Sequence, residues 1–183
     1  MKVIRTAIPD VLILEPRVFG DERGFFLERY NKREFVRATG VDVEFVQDNH
    51  SRSSRNVLRG LHYQVKQAQG KLVWAVAGEI YDVAVDLRKG SPTFGKWAGF
   101  SLSAQTKQMA WVPPGFAHGF LVVSDVAEVL YKATDFYAPE HERTLLWDDA
   151  DLRITWPLEG GEGPLIAAKD LGGQPFRSAD LYP

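Results

Sequence analysis

The chain of 183 residues contains no cysteine, which excludes a disulfide scaffold, a zinc site built on thiolates and a cysteine nucleophile. It also lacks any apolar run approaching the roughly 18 residues of a membrane-spanning helix. Near the N-terminus, the apolar run at residues 11–14 is too short for a secretory signal. We therefore expect a cytoplasmic protein that does not associate with membranes.

An excess of positive charge is absent as well. The 22 lysines and arginines are balanced by 24 acidic residues, which gives a formal net charge of −2. A dedicated nucleic-acid-binding protein needs clustered positive charge to neutralise phosphates, so this class is not expected. The chain also lacks the Gly-x-Gly-x-x-Gly pattern of dinucleotide-binding proteins, and we expect no redox cofactor.

Chain-breaking residues are spread along the sequence, with 16 glycines and 10 prolines and no linker-like concentration of either. Between them lie short runs rich in β-branched and aromatic residues, at 11–19, 24–30, 43–49, 72–76, 80–87, 109–112, 119–123 and 126–134. Short strands at this spacing are typical of a β-sandwich or β-barrel. The sequence thus predicts an all-β fold, in a single domain over residues 1–183.

Two short helical segments are predicted within this β-structure. Asn31 is a candidate N-cap, Glu34 follows at the capping-box position, and Gly40 ends the helix. A second helical turn is predicted near residues 167–171. We therefore expect one or two short helices beside the strands.

The run at 80–87 alternates in polarity. Tyr81, Val83 and Val85 share one face of the predicted strand, and Asp82 and Asp86 share the other. An antiparallel sheet with one face on the core and one face in water produces this pattern. We therefore expect the two aspartates to lie on a solvent-facing side.

The histidines are the first candidates for chemistry, and a metal site is one interpretation of them. His62 precedes Gln64 by two residues, and His118 lies in a Pro-x-Gly-x-x-His pattern that resembles half of a metal-binding barrel motif. Gln64, however, stands where a second imidazole would be needed, and Lys71 follows where a carboxylate is expected. Two imidazoles beside an ammonium group make a poor divalent-cation site, so no metal is expected.

Acid–base chemistry is the other interpretation. His62 titrates near neutral pH and can act as a general base if a carboxylate such as Asp86 or Asp170 orients it. A strand histidine satisfied by hydrogen bonds is the alternative from this residue alone. Arg59 and Lys71 add two cations beside it, and a bound anion would explain why a barrel strand carries them.

The spacing of Arg59 and His62 creates a conflict, because side chains three residues apart on a regular strand point to opposite faces. Both can face one cavity only if the strand is irregular, and Gly60 permits a bulge between them. Gln47 and Asn49 show no such conflict and share a face. Paired amides there suit a sugar or a nucleobase, and a polar edge strand is the alternative.

Longer motifs follow one another along nearly the whole chain. They are Asp-Glu-Arg-Gly-Phe-Phe at 21–26, Gln-Asp-Asn-His-Ser at 47–51, Leu-Arg-Gly-Leu-His-Tyr-Gln at 58–64, Gln-Gly-Lys-Leu-Val at 69–73, Asp-Leu-Arg at 86–88, Ser-Pro-Thr-Phe-Gly at 91–95, Gly-Phe-Ala-His-Gly-Phe at 115–120, Tyr-Lys at 131–132 and Lys-Asp at 169–170. Taken together, these motifs closely resemble the dTDP-4-dehydrorhamnose 3,5-epimerase family.

The resemblance implies both a fold and a reaction. The fold is a cupin-type jelly roll that holds no metal and needs no cofactor, and the assembly is a homodimer. The substrate is a dTDP-linked 4-keto-6-deoxyhexose, dTDP-4-dehydro-6-deoxy-D-glucose. Inversion at C3 and C5 converts it to dTDP-4-dehydro-L-rhamnose, a step of dTDP-rhamnose biosynthesis.

The resemblance also implies roles for individual residues. His62 is the base, Asp170 orients it, and Tyr131 donates the proton. The implied substrate contacts are Arg23, Phe26, Glu28, Gln47, Asp48, Asn49, Arg59, Lys71, His118, Tyr137, Glu142 and Lys169. Tyr137 is expected to stack at the nucleotide end. Enolate chemistry requires a cation near the C4 oxygen, and Lys71, helped by His118, is our catalytic candidate for that role.

Two departures from the family and three alternatives stay open at this point. Asp149-Ala150 stands where many relatives read Asp-Pro after the tryptophan. Alanines occupy 167–168, where relatives commonly carry a serine before the Lys-Asp pair, so the cap that places Asp170 is expected to be looser. A related enzyme that inverts a single carbon, C3 or C5, is the first alternative. A metal-dependent cupin enzyme and a non-catalytic module that binds sugar nucleotides are the others.

Overall fold

β-Strands dominate the computed structural model of the chain, which describes residues 1–158, 160–161 and 163–183. The strands are β1 (Lys2–Arg5), β2 (Leu12–Glu15), β3 (Val18–Asp21), β4 (Gly24–Leu27), β5 (Gln47–Ser54), β6 (Val57–Gln64), β7 (Lys71–Ala77), β8 (Glu79–Asp86), β9 (Trp97–Ser103), β10 (Met109–Val112), β11 (Phe116–Val122), β12 (Val126–Ala133), β13 (Glu142–Thr144) and β14 (Leu165–Ile166). The helices are α1 (Lys32–Thr39), α2 (Ala168–Leu171) and two 3-10 turns, Pro139–His141 and Phe176–Ser178.

Two sheets face each other as a sandwich. Sheet I has the order β1-β2-β10-β7-β12-β5, and sheet II has the order β13-β6-β11-β8-β9, with antiparallel pairing along both paths. Strand β14 adds to β6 in parallel. Strands β3 and β4 form a hairpin outside both sheets. The predicted all-β fold is confirmed.

Apolar side chains fill the space between the sheets and also cover their outer faces. Val73 of sheet I packs against Ile80 and Phe120 of sheet II in the interior. The outer face of sheet II is covered by the segment from Leu145 to Tyr182. Because both faces of sheet II are buried, the expected solvent-facing side for Asp82 and Asp86 is wrong, and both side chains are fully buried.

Helix α1 covers the outer face of sheet I, and its ends match the predicted signals. Asn31 Oδ1 accepts a hydrogen bond from the Glu34 N–H at 3.3 Å, and Gly40 ends the helix at φ 74°. The Glu34 carboxylate pairs with Arg37. Phe35 is the buried anchor of the helix, with its ring edge-on to a sheet I tryptophan at 5.6 Å. The described helices are all too short and too polar to cross a membrane.

The predicted strands agree with the structure within the two sheets but differ from it where a predicted run extends beyond a strand end. The run predicted at 43–49 is wrong as a strand up to residue 46, because residues 43 and 45 anchor a loop over sheet I and β5 begins only at Gln47. The run at 11–19 divides into β2 and β3 around Pro16, which lacks the N–H that a strand requires. The turn predicted near 167–171 is confirmed as α2.

Asp86 anchors the loop that follows β8. Its carboxylate accepts hydrogen bonds from Arg88 Nε at 2.9 Å, Ser91 Oγ at 2.5 Å and Thr93 Oγ1 at 2.6 Å. Burial favours the neutral acid, but the hydrogen bonds from these three residues outweigh it and lower the pKa of Asp86 to about 2. Residues of the motifs at 86–88 and 91–95 therefore fix the loop that follows β8 through their hydrogen bonds to one carboxylate.

We predict that Asp86→Asn lowers the free energy of unfolding by about 2–4 kcal/mol at pH 7, since it leaves the Arg88 guanidinium without its buried charge partner. The folded-state pKa of Asp86 is depressed, so its stabilisation is present above pH 4 and is lost as the pH falls towards 2. Urea unfolding from pH 7 down to 2.5 measures this. The exposed control Asp148→Asn should have the same free energy of unfolding as the wild type. If the difference in free energy of unfolding between the wild type and Asp86→Asn does not shrink as the pH falls, the ionised Asp86 carboxylate is not the stabilising group.

Candidate active site

One pocket opens between the two sheets and encloses ≈ 390 Å³. Most of the side chains that the sequence singled out line it. These residues are Gln47, Asn49, Arg59, His62, Lys71, His118, Tyr131, Tyr137, Glu142, Lys169 and Asp170. Strands of both sheets and the short helix α2 therefore deliver their polar groups to one cavity.

The predicted irregularity of β6 explains how Arg59 and His62 reach the same cavity. On β11, Phe120 pairs with Arg59 and His118 pairs with His62, so β6 carries one extra residue between the two pairs. That residue count is a β-bulge, and it rotates both side chains onto one face. Gly60 lies in the bulge at φ 107°, and a Cβ there would come within 2.6 Å of the His118 carbonyl oxygen.

His62 and Asp170 form a hydrogen-bonded pair in the pocket wall. His62 Nε2 lies 2.8 Å from Asp170 Oδ1, and Asp170 Oδ2 accepts the Gly60 N–H at 3.2 Å. Burial alone would raise the pKa of Asp170, but the hydrogen bond and charge of His62, followed by the Gly60 N–H, outweigh burial and lower it. An ionised Asp170 holds the imidazole in one orientation.

The loss of a side-chain cap on α2 does not displace Asp170. Ala167 is the N-cap and makes no side-chain hydrogen bond, as the sequence predicts. The backbone N–H of Asp170 instead donates to the Ala167 carbonyl at 2.9 Å. The side chain is 2% exposed and is held by its contacts with β6. The cap is therefore dispensable for this placement.

A second histidine–carboxylate pair lies next to the first. His118 Nε2 is 2.9 Å from Asp82 Oδ2 and 3.0 Å from Oδ1, and both side chains are buried. His118 and His62 are direct cross-strand partners, so their rings lie on the same face of sheet II. The sequence analysis missed Asp82 as a site residue, although an aspartate inside an otherwise apolar strand was a usable signal.

Lys71 supplies a partly buried cation from sheet I. Burial lowers the pKa of its ammonium group to about 8, while the negative charges of Asp82 and Glu142 act in the opposite direction. The nitrogen lies 5.8 Å from the centre of the Tyr131 ring. Burial also raises the pKa of the Tyr131 hydroxyl, the charge of Glu142 adds to this, and Arg59 opposes it. The Tyr131 hydroxyl therefore keeps its proton at physiological pH.

Two pocket-lining side chains carry N–H groups that have no hydrogen-bond partner among the described residues. Arg59 donates Nε–H to Ser53 Oγ at 2.9 Å, which fixes the plane of the guanidinium group and leaves its terminal nitrogens for an anion. Asn49 Oδ1 accepts from Gln47 Nε2 at 3.0 Å. Asn49 Nδ2 is buried without a hydrogen-bond partner among the described residues, so a ligand acceptor can satisfy it.

The mouth of the pocket carries an exposed tyrosine between charged groups. The Tyr137 hydroxyl donates to Glu142 Oε2 at 3.0 Å, and Lys169 Nζ lies 3.5 Å from the same oxygen. The hydrogen bond to Glu142 raises the pKa of Tyr137, and burial adds to this. The Tyr137 ring is 51% exposed and offers a flat apolar surface at the pocket entrance.

Four predicted contact residues lie away from the pocket of their own chain. Arg23 and Phe26 are on the exposed β3–β4 hairpin, where Arg23 pairs with Asp21. Glu28 follows that hairpin and accepts a hydrogen bond from Asn31. Asp48 lies between Gln47 and Asn49 on β5, and its side chain points to the opposite face of the strand from theirs. There it pairs with Lys132 at 2.9 Å on the outside of sheet I. A single chain does not bring these four together with the other predicted residues.

The position that would supply a second metal-binding imidazole is used differently here. The Gln64 amide donates to the carbonyls of Gln67 and Phe136 and accepts the N–H of Ala138. Within the described part of the chain, no group of three or more histidine, cysteine, aspartate or glutamate side chains is arranged to hold a metal ion.

Comparisons with known proteins agree with this description. The sequence profile of the family described as dTDP-4-dehydrorhamnose 3,5-epimerase matches residues 5–178. The dTDP-4-dehydrorhamnose 3,5-epimerase of Pseudomonas aeruginosa is 62% identical over 183 residues, covering 100% of both chains. A dTDP-6-deoxy-D-glucose-3,5-epimerase from Legionella pneumophila, solved in complex with dTDP-4-keto-L-rhamnose, superposes with a TM-score of 0.94 at 49% identity, over 98% of this chain and 94% of that one.

An enzyme of narrower action shares the same architecture. The 3'-monoepimerase of Streptomyces bikiniensis, solved in complex with dTDP-quinovose, superposes with a TM-score of 0.87 at 32% identity, covering 97% of this chain and 88% of that one. The expected cupin-type fold and the resemblance seen in the sequence motifs are both confirmed. On the profile match and the full-length similarity, the chain belongs to the dTDP-4-dehydrorhamnose 3,5-epimerase family.

Proposed function

We propose that the pocket binds a dTDP-linked 4-keto-6-deoxyhexose and inverts C3 and C5 by removing a proton from one face and returning one to the other. Both carbons flank the C4 ketone, so loss of either proton gives an enolate with its charge on O4. A gap of roughly ten pK units between a ketone α-proton and imidazolium corresponds to about 14 kcal/mol. An imidazole base therefore needs electrostatic stabilisation of the enolate.

The observation that carries the proposal is the position of the base and the acid on opposite walls. His62, oriented by Asp170, belongs to sheet II, and Tyr131 belongs to sheet I. Inversion requires different groups for abstraction and reprotonation, because one group would return the proton to the face it left. A sugar ring between the sheets would have His62 on one side and Tyr131 on the other.

We assign the stabilisation of the enolate charge on O4 to Lys71 and His118. Lys71 is a partly buried ammonium beside Tyr131, and His118 is held by Asp82 next to His62. In a pocket with little water, a fixed cation stabilises a developing negative charge far more than it would in solvent. These groups act on O4, which is common to both inversions, so one constellation serves both carbons.

We assign the binding of the nucleotide end of the substrate to the remaining pocket residues. The free guanidinium nitrogens of Arg59 match the oxygens of a diphosphate, and Tyr137 supplies an exposed aromatic face for thymine. Lys169, Asn49 and Gln47 line the same pocket and complete the polar contacts. The ligands in the crystal structures of the Legionella and Streptomyces relatives are dTDP-sugars, which supports this assignment.

A second copy of the chain would account for three of the four predicted contacts that lie outside the pocket. The β3–β4 hairpin pairs with no other strand in the described residues and exposes Phe25 at 62% and Phe26 at 70%. Such exposed apolar surface marks an interaction site. We propose a homodimer in which the hairpin of each chain brings Arg23, Phe26 and Glu28 to the pocket of the other.

Tyr131→Phe should separate proton exchange from inversion. His62 still removes the proton, and the imidazolium exchanges it with the deuterated solvent. The enolate can then take a deuteron only from the His62 side, so deuterium enters the starting sugar without change of configuration. Epimerised product should fall by about 10²-fold or more. Mass spectrometry and NMR on one sample in deuterated water measure both.

The control for this variant is His62→Asn, which should lose exchange and inversion together because it lacks the base. If Tyr131 is only a packed aromatic residue, Tyr131→Phe will retain exchange and inversion in the same proportion as the wild type. That outcome would remove Tyr131 from the mechanism.

The charge state of Lys71 should set the alkaline limb of the pH profile. Its pKa is about 8, so the ammonium is charged below that pH, and kcat/KM should fall as the pH rises through it. The bound diphosphate favours the cation, so the limb in kcat should lie at higher pH. Lys71→Arg should move the kcat/KM limb upward, since guanidinium stays protonated. An unchanged limb in that variant would contradict the role.

Mixed dimers test the hairpin directly. Arg23→Ala and His62→Asn chains are each expected to be nearly inactive, but a hybrid dimer has one pocket with both residues intact. After co-refolding in equal amounts, statistical pairing should restore about a quarter of wild-type activity. Activity no greater than the sum of the two parents would show that each pocket uses its own hairpin or none.

A further inference from the structure

Backbone groups of the loop between β12 and the 3-10 turn at Pro139–His141 are bound by glutamine side chains rather than by strand pairing. Gln64 Nε2 donates to the Phe136 carbonyl at 3.2 Å, and Gln64 Oε1 accepts the Ala138 N–H at 2.9 Å. Gln69 Nε2 donates to the Asp135 carbonyl at 2.8 Å. The residue between the two groups held by Gln64 is Tyr137.

Gln64 differs from the other polar residues of β6 in its surroundings. Its side chain is 4% exposed and does not line the pocket. A third hydrogen bond, from Nε2 to the Gln67 carbonyl at 2.8 Å, completes its contacts. Every polar atom of the amide is therefore used within the protein, and a bound substrate cannot contact it in place of these partners.

The chemistry of these three contacts selects an amide. Two carbonyls need donors and one N–H needs an acceptor, which a glutamine side chain supplies at once. A carboxylate would accept the Ala138 N–H but would face two carbonyl oxygens with negative charge. A leucine would leave the buried Ala138 N–H without an acceptor, which is costly, and would release the part-buried carbonyls of Gln67 and Phe136.

The loop held in this way presents Tyr137 in one orientation. The Tyr137 N–H donates to Gln47 Oε1 at 2.9 Å, and the ring projects into the pocket mouth, where its hydroxyl meets Glu142. With more than half of its surface exposed, the Tyr137 side chain has little packing of its own. Its position therefore depends on the backbone that carries it.

We propose that Gln64 is a positioning residue for the nucleotide end of the site: it fixes the backbone on both sides of Tyr137 so that the ring is pre-oriented for the base of the sugar nucleotide. This rests on the proposed function, which assigns the nucleotide end to Tyr137. Gln64 acts on binding through Tyr137 and takes no part in the proton transfers at His62.

The first test separates binding from chemistry. In Gln64→Leu, the dissociation constant of dTDP, measured by calorimetry, and the KM for the 4-keto sugar nucleotide should each rise about 10-fold. The kcat at saturation should stay within about two-fold of the wild type. The control Gln105→Leu, at an exposed glutamine outside the pocket, should change neither.

A double-mutant cycle tests whether the effect passes through Tyr137. Tyr137→Ala should weaken dTDP binding, and adding Gln64→Leu to it should weaken binding little further, because the ring that Gln64 positions is already gone. Additive losses would overturn the proposal. A fall in kcat with an unchanged KM would overturn it as well.

Gln64→Glu provides a test that does not depend on the leucine variant folding. Relative to the wild type at the same pH, its dTDP affinity should be weak at pH 8 and should recover as the pH falls, since a neutral carboxyl can again donate to a carbonyl while accepting the Ala138 N–H. A ratio to wild type that does not change with pH would overturn the proposal.

Different results would contradict nucleotide binding by Tyr137 and the positioning of Tyr137 by Gln64. If Tyr137→Ala binds dTDP as well as the wild type, the nucleotide-end assignment is wrong, and this inference falls with it. If Tyr137→Ala is weakened but both Gln64 variants bind normally, only the role of Gln64 is wrong. Turnover by the wild type bears on the reaction and is independent of both results.

Discussion

The extra residue at Gly60 in β6 is the constraint on which the rest of the site depends. A regular strand would send Arg59 and His62 to opposite faces, with one in the pocket and the other in the core beneath the C-terminal segment. The bulge places both in the pocket, while Leu58 and Leu61 remain buried in the core on the far side. The Gly60 N–H also holds Asp170, so the same irregularity positions the proposed base, its proposed orienting carboxylate and the arginine proposed to bind an anion.

The second constraint is the electrostatic balance of a pocket enclosed by two sheets. Asp82 and Asp170 each hold a histidine, and Lys71 lines the same pocket as a partly buried cation. An unpaired charge in such a place would be expensive, so the carboxylates and cations stabilise one another before substrate arrives. In the proposed mechanism, a ketone that becomes an enolate in this pocket meets groups that are already oriented, and this orientation is the proposed origin of the rate enhancement.

Sequence reasoning reached the all-β fold, helix α1 and the bulge because each depends on local signals: alternation, capping residues and one glycine in a conflicting register. It placed Asp82 and Asp86 in water because alternation cannot show that the C-terminal segment covers the outer face of sheet II. It treated 43–49 as one strand because the side chains at 43 and 45 are apolar, whereas they anchor a loop. The pairing of His118 with Asp82 depends on three-dimensional register, which a single sequence does not contain.

Counting solvent hydrogens in the product tests the central claim, two inversions by a base and an acid on opposite walls of one pocket. The wild-type enzyme is incubated with dTDP-4-dehydro-6-deoxy-D-glucose in deuterated water, and the product is examined by mass spectrometry and NMR. The account predicts one deuteron at C3 and one at C5, both with inverted configuration. Deuterium at one carbon alone would contradict it and would group the enzyme with single-carbon epimerases such as the Streptomyces relative.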